Sequence, residues 1–299
     1  MMKKKIIVGS RDSKLAVAQT RLVMDLIQNA NPNLELELVT MKTTGDKILD
    51  KTLDKIGGKG LFVKELDQAL IEKRVDITVH SLKDLPMEVS EDLPLLAFVE
   101  RGNPFDCLVM ANEKPLNQMD KNLPVGSSSG RRNTQLGELL ENVKTAPVRG
   151  NVITRLEKLD RGDFSCLILA RAGLERIQLD NRITKTFTVD EMIPAAGQGI
   201  LVVQGRKDED YSWLEPVDNK ESRLAALCER AFVRQLDGGC TSPIGAYAKL
   251  EGDTLVLNGF YQNVETGNYG RMTSKGKAEQ WESLAIDTAV KLKEKIDNE

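Results

Sequence analysis

Four places along the chain put hydroxyls, glycines and fixed cations directly after a short apolar run. Gly9-Ser10-Arg11-Asp12-Ser13 follows Val8, and His80-Ser81-Leu82-Lys83-Asp84 follows Val79. Gly126-Ser127-Ser128-Ser129-Gly130-Arg131-Arg132 follows Val125, and Arg149-Gly150-Asn151 follows Val148 with Arg155 one turn on. Free N–H groups at a helix N-terminus attract anions, and an arginine grips a carboxylate or phosphate with two parallel N–H bonds. The bland alternative is that each arginine pairs with a nearby surface acid. Four junctions of one kind favour a site for a small polyanion with several negative groups. Asp84 stands among these cations. It could cap a turn, or it could accept N–H bonds and stabilise positive charge developing on a ligand held by its anionic rim.

Cys240 follows Gly238-Gly239 and precedes Thr241-Ser242-Pro243, so it reads as an accessible loop thiol, either incidental or suited to covalent chemistry. Cys107 and Cys166 begin apolar runs and Cys228 lies on an apolar helix face, as inert packing would have them. Gly57-Gly58-Lys59-Gly60 lacks the Lys-Ser/Thr ending and the spacing of a phosphate loop. It reads as a glycine loop bringing Lys55 and Lys59 near the site as a lid. Phe62 could stack on a flat ligand or pack. His80 is the one histidine of the chain and ends a strand, where a hydrogen-bonded structural imidazole is the simpler reading. With one histidine and no C-x-x-C pair, no metal site is expected.

These residues need elements to hold them. Short apolar or β-rich runs at Lys5 to Val8, Asp76 to Val79, Cys107 to Ala111, Phe164 to Ala170 and Ile200 to Gln204 read as strands, as does Leu34 to Val39, which alternates apolar and charged residues. Between them Leu15, Ala18, Leu22 and Leu26 recur at helical spacing, as do Leu66, Ala69 and Leu70 within Val63 to Arg74. That alternation predicts α/β layers with mixed, largely parallel sheets. A second unit begins near Glu100, and the chain is expected to cross back to the first after the turn-rich Ile193 to Gly199. The tail, from about 217, reads as a small α+β domain. It has a helix over Arg223 to Leu236, antiparallel strands around Glu251-Gly252-Asp253 and a last helix carrying Trp281 and Leu292.

The 299 residues suit two or three domains. A net charge of −3 and 4% aromatic residues count against binding nucleic acid through phosphate neutralisation or base stacking. No apolar run is long enough to span a bilayer. Met1-Met2-Lys3-Lys4-Lys5 is followed by only three apolar residues, too few for a secretion signal. A cytoplasmic protein with no membrane partner is the expectation.

Taken in order, the motifs resemble those of the porphobilinogen deaminase (hydroxymethylbilane synthase) family. They are Gly9 through Ala16, Gly57 through Glu65, Val79 through Pro86, Gly126 through Arg132, Arg149-Gly150-Asn151 with Thr154-Arg155-Leu156, Pro194 through Gly199, and Gly238 through Pro243. The resemblance implies two lobes like the halves of a periplasmic binding protein, residues 1–98 with 194–216 and residues 99–193, plus a third domain, 217–299. It implies a dipyrromethane cofactor attached through Cys240, onto which four porphobilinogen molecules are deaminated and joined before hydrolysis frees a linear tetrapyrrole. By motif, Asp84 is the catalytic carboxylate. Ser81, Lys83, Ser129, Arg131, Arg132 and Arg155 hold cofactor carboxylates. Arg11, Ser13, Arg149 and Arg176 hold substrate or the growing chain, and Gln198 and Phe62 lie near the working pyrroles. A monomer is implied, passing its product to uroporphyrinogen III synthase.

Two places depart from the pattern. Gln204-Gly205-Arg206 stands where Glu-Cys-Arg is expected, and Ser242 stands where an apolar residue or threonine is expected. The competing reading is a non-catalytic two-lobed anion-binding protein, which the third domain with Cys240 does not fit.

Overall fold

The computed structural model describes residues 4–43, 63–140, 142–238 and 242–298. Lys55, Lys59, Phe62 and Cys240 lie outside the described residues. In chain order the elements are β1 (Lys4–Arg11), α1 (Lys14–Ala30), β2 (Leu34–Met41), α2 (Lys64–Ile71), β3 (Ile77–Ser81), β4 (Leu95–Phe98), β5 (Asp106–Met110), β6 (Val125–Gly126), α3 (Gly130–Leu139), β7 (Thr145–Ala146), α4 (Val152–Asp160), β8 (Cys166–Ala170), α5 (Arg171–Glu175), β9 (Lys185–Thr186), β10 (Leu201–Gly205), α6 (Lys220–Gln235), β11 (Ile244–Glu251), β12 (Thr254–Gln262), β13 (Tyr269–Lys277) and α7 (Trp281–Asp297). They divide into two compact units, Met1–Gly102 with Ile200–Arg223, and Asn103–Gly199 with Leu224–Glu299.

The first unit holds a five-stranded sheet of order β2-β1-β3-β10-β4. β1 runs parallel to β2 and β3, while β10 is antiparallel to both β3 and β4, so four strands point one way. β10 brings the chain back to this sheet, as expected. The second unit repeats the plan with the order β7-β6-β8-β5-β9, β5 being the reversed strand. The reversed strand is the last of the five along the chain in the first sheet and the first of the five in the second.

Both faces of the second sheet are covered. Cys107 and Val109 of β5 and Leu167 and Leu169 of β8 join one core with Leu156 and Leu159 of α4. Leu108 and Met110, with Cys166 and Ile168, join another with Leu136 of α3. This is why the strands read as unbroken apolar runs rather than alternating ones. In the same unit β11, β12 and β13 form an antiparallel meander, and α7 turns Ala285, Ala289, Leu292 and Ile296 inward.

Two expectations are corrected. The helix α1 does not bury the stripe Leu15-Ala18-Leu22-Leu26. Leu22 and Leu26 are each 39% exposed, and Gln19, Thr20, Val23 and Ile27 face inward. Val23 and Ile27 pack on Val8 and Ile77 of the sheet, while the Thr20 hydroxyl donates to Ser10 Oγ at 2.8 Å. Buried polar groups satisfied by each other compete with leucine for the inner face. β1 also continues beyond Val8, because Gly9, Ser10 and Arg11 pair with Val39, Thr40 and Met41. Gly9 is needed there: a Cβ would lie 2.9 Å from Thr78 Cγ2.

The departure at Gln204-Gly205-Arg206 has a packing explanation. A Cβ on Gly205 would lie 2.5 Å from Leu96 Cδ1 and 2.8 Å from the Tyr211 ring. Tyr211 fills that space, its hydroxyl donating to Asp76 O and accepting from Arg206 N.

Candidate active site

In the first unit the ends of the parallel strands β1 and β3 open into a pocket lined by Arg11, Ser13, Gln19, His80, Ser81 and Asp84, with Leu15, Ala16, Val63, Val79 and Leu85 behind. Strand ends next to helix starts are where open α/β sheets place ligands. Ser13 is the N-cap of α1 and accepts from Ala16 N at 3.3 Å. Ser81 Oγ donates to Gln19 Oε1 at 3.1 Å. Lys83 and Asp84 sit on a single helical turn, Leu82–Asp84, just after β3. Asp84 is exposed and Lys83 half-buried.

His80 is buried and shares a 2.9 Å hydrogen bond between Nε2 and Thr78 Oγ1. Burial pushes its pKa down from 6.5 to about 4; a hydrogen bond with Gln204 opposes this and the charge of Arg11 adds to it. It is a neutral structural imidazole at pH 7. Because the folded value lies below the unfolded one, the neutral form carries the stability. That stability is whole above about pH 6.5. It is lost as pH falls toward 4, at about 1.4 kcal/mol for each pH step between the two values, or ~3 kcal/mol in all. Urea unfolding between pH 7.5 and 4 should show this loss, and a His80→Gln chain should lack that share of it. Equal slopes in the two chains would mean that His80 takes up its proton equally in the folded and unfolded chain, so that burial does not lower it.

In the second unit β6 and β7 end side by side, and Ser128 Oγ joins them by donating to Val148 O and accepting from Val148 N. Ser129 is the N-cap of α3 and makes no side-chain cap bond. Arg131 and Arg132 lie on the first turn of that helix, both buried. They meet Asp106 at the start of β5, which is fully buried. Arg131 Nη1 donates to Asp106 Oδ2 at 2.7 Å. Arg132 donates to Oδ1 from Nε at 3.0 Å and from Nη2 at 2.7 Å. Burial works against the Asp106 charge, yet the two guanidiniums outweigh it and hold the carboxyl far below its usual range.

Gly150 has a φ of +108°, and its carbonyl accepts from Arg155 Nε at 2.8 Å. Asn151 caps α4 by accepting from Thr154 N at 3.0 Å. Arg149 is half-buried on the same turn. The turn before β10 has positive φ at Gly197 and Gly199. Gly199 O accepts from Arg176 Nη2 at 2.5 Å. Burial pushes Arg176 down to about 10. Gln198 is buried and its Nε2 donates to Pro104 O at 2.7 Å and Asp106 Oδ1 at 3.0 Å.

Twelve residues of the sequence-derived set are described, five in the first unit and seven in the second. Arg11, Ser13, Ser81, Lys83 and Asp84 stand at the strand ends of the first unit. Ser129, Arg131, Arg132, Arg149, Arg155, Arg176 and Gln198 stand in the second. Apart from Asp84 and the Gln198 amide, these side chains offer hydroxyl and cationic donors. Within each unit such donors suit the carboxylates of a ligand. Sequence reading missed Gln19 and Asp106. Gln19 lies off the leucine stripe of α1, and Asp106 lies 25 residues from the arginine it holds, so no local spacing marks it. The three described cysteines are buried, and burial pushes Cys107 up to about 12, Cys166 to about 11 and Cys228 to about 12, in keeping with inert packing.

Residues 6–212 match the family model described as porphobilinogen deaminase, dipyromethane cofactor binding domain, and residues 223–294 match porphobilinogen deaminase, C-terminal domain. The chain belongs to the porphobilinogen deaminase family. Curated porphobilinogen deaminases are similar along almost their whole length. That of Acetivibrio thermocellus is 51% identical over 96% of this chain and 98% of its own. That of Ruminiclostridium josui is 51% identical over 97% and 98%, and that of Alkaliphilus oremlandii 50% identical over 97% of each. Among solved structures, a marine metagenome TRAP solute binding protein specific for aromatic acid ligands aligns with 76% of this chain and 79% of its own at 11% identity and a TM-score of 0.39; at that distance the match bears on neither fold nor function. Family membership makes the protein an enzyme, a transferase, whose larger N-terminal part is of the dipyrromethane cofactor-binding type. It disfavours the non-catalytic anion-binding reading. No helix among the described residues is long and apolar enough to cross a membrane.

Proposed function

We propose that this chain is a hydroxymethylbilane synthase in which Cys240 carries the dipyrromethane primer through a thioether. Four porphobilinogens are joined to the primer in turn, and water then releases the linear tetrapyrrole. In each addition the aminomethyl C–N bond of one porphobilinogen breaks and ammonia leaves. A C–C bond forms to the free pyrrole position at the end of the chain, and that carbon gives up its proton. When bound, the primer supplies that first pyrrole carbon.

The observation that carries this reading is the packing of Pro243 against Gly130, where a Cβ would lie 3.3 Å from Pro243 Cβ. The segment that follows Cys240 therefore touches the start of α3, beside Ser129, Arg131 and Arg132. A primer with acetate and propionate on each ring needs cations and N–H donors near its point of attachment, and this helix start offers both.

In this reading Ser81, Lys83, Ser129, Arg131, Arg132 and Arg155 hold primer carboxylates. Arg11, Ser13, Arg149 and Arg176 hold those of the incoming substrate or growing chain. Gln198 and Phe62 border the working pyrroles, and Lys55 and Lys59 ride a loop that covers them. Asp84 accepts pyrrole N–H bonds and stabilises the positive charge that grows on the substrate as ammonia leaves. Residues 1–98 with 194–216, residues 99–193 and residues 217–299 are the three domains of this arrangement. The enzyme works as a cytoplasmic monomer without nucleic-acid or membrane partners, and its product passes to uroporphyrinogen III synthase.

Purified protein given porphobilinogen should release four ammonia molecules per linear tetrapyrrole. Tight binding of porphobilinogen with no ammonia released would return the choice to an anion-binding protein.

A further inference from the structure

Asp106 is fully buried and receives four donor contacts. Arg131 Nη1, Arg132 Nε and Nη2, and Gln198 Nε2 all reach it. Other bonds from the same donors go to main-chain carbonyls: Arg131 Nη1 to Ile193 O at 2.7 Å, Arg132 Nη1 to Ile168 O at 3.0 Å and Gln198 Nε2 to Pro104 O at 2.7 Å. Two guanidiniums and one carboxylate leave one formal positive charge. A purely structural pair would need only one arginine, and a second buried cation is costly unless another anion meets it. Neighbouring like charges also repel, so the two forks keep their aim only while the carboxylate lies between them.

We propose that Asp106 is a positioning residue that aims Arg131 and Arg132 and sets their joint charge at plus one, so that the pair takes a single carboxylate of a pyrrole ligand. This rests on the function proposed above, in which that ligand is the primer. Asp106 itself touches no ligand; it acts through the arginines.

The test is a cycle of full-length chains, wild type, Asp106→Asn, Arg132→Gln and the double variant. Each is measured as purified for primed fraction by intact mass, for porphobilinogen turnover per primed chain and for melting temperature. Asp106→Asn, with a cluster charge of plus two, should lose at least about 10-fold in primed fraction or turnover, the scale of a misaimed binding group. The double variant returns to plus one and should be no worse than the poorer single variant. Losses that multiply in the double variant, or an Asp106→Asn chain that primes and turns over like wild type, would overturn the proposal.

If Asp106→Asn does not fold, the double variant decides. It should fold, because one uncompensated cation is gone, and a double variant that is equally unfolded would overturn the charge balance. A wild-type chain with no added mass and no turnover would sink the proposed function instead. The melting-temperature cycle would still judge the charge balance in that case.

Discussion

Cys240→Ser should purify at the bare mass of its sequence and release no ammonia from porphobilinogen, while the native chain carries the added mass of two linked pyrroles. The contrast among the thiols supports this. Cys107, Cys166 and Cys228 are buried, and burial keeps them protonated at any physiological pH. A thiol is a nucleophile only as its thiolate, so none of the three competes for a primer. Cys240 follows two glycines and comes three residues before Pro243, which packs at the start of α3. Serine is close to cysteine in size but its hydroxyl ionises far less readily than a thiol, so the variant should stay folded and unprimed. Retention of the two-pyrrole mass in Cys240→Ser would move the attachment to another residue.

Asp84→Ala should fold, keep the primer and slow ammonia release by at least about 10²-fold, the scale of a lost acid–base or charge-stabilising group. Asp84 is exposed, so its removal leaves no buried cation unpaired, and stability should change little. Its carboxylate lines the pocket with Arg11, Ser13, Gln19 and Ser81, where it is the one acidic side chain among the lining residues. The cationic and hydroxyl groups there can hold a substrate's carboxylates, but they oppose positive charge growing on its pyrrole ring. The loss should therefore fall on kcat more than on KM. Turnover within a few-fold of the native chain would remove Asp84 from the chemistry.

Much of the site was legible because its residues are local in sequence. The strand-to-helix junctions are short runs in which glycines, hydroxyls and fixed cations, in different combinations, announce a turn and an anion site together. Buried strands such as β5 and β8 were legible for a related reason: a sheet covered on both faces needs apolar residues at every position. The face of α1 was not legible. Its leucine stripe obeys the helical period, but Thr20 and Gln19 find partners on β1 and β3, and partners from other elements leave no periodic trace. The two-residue β9 and the polar β13 were missed because pairing alone, without an apolar pattern, makes them strands, and β4 was missed because it is only four residues long.

The α/β plan, the family and the types of nearly all groups proposed to meet a polyanionic ligand are legible in the sequence alone, and the return of the chain to its first sheet is expected from it. These are written in short motifs and in the alternation of periods two and 3.6. How those groups are held emerges only in the folded chain. Folding placed Asp106 between two arginines 25 and 26 residues away and lowered His80 by burying it. It filled the space beside Gly205 with Tyr211 and seated Pro243 on Gly130. Charge balance, desolvation and close packing depend on distances between residues far apart in the chain, and those distances exist only once the chain is folded.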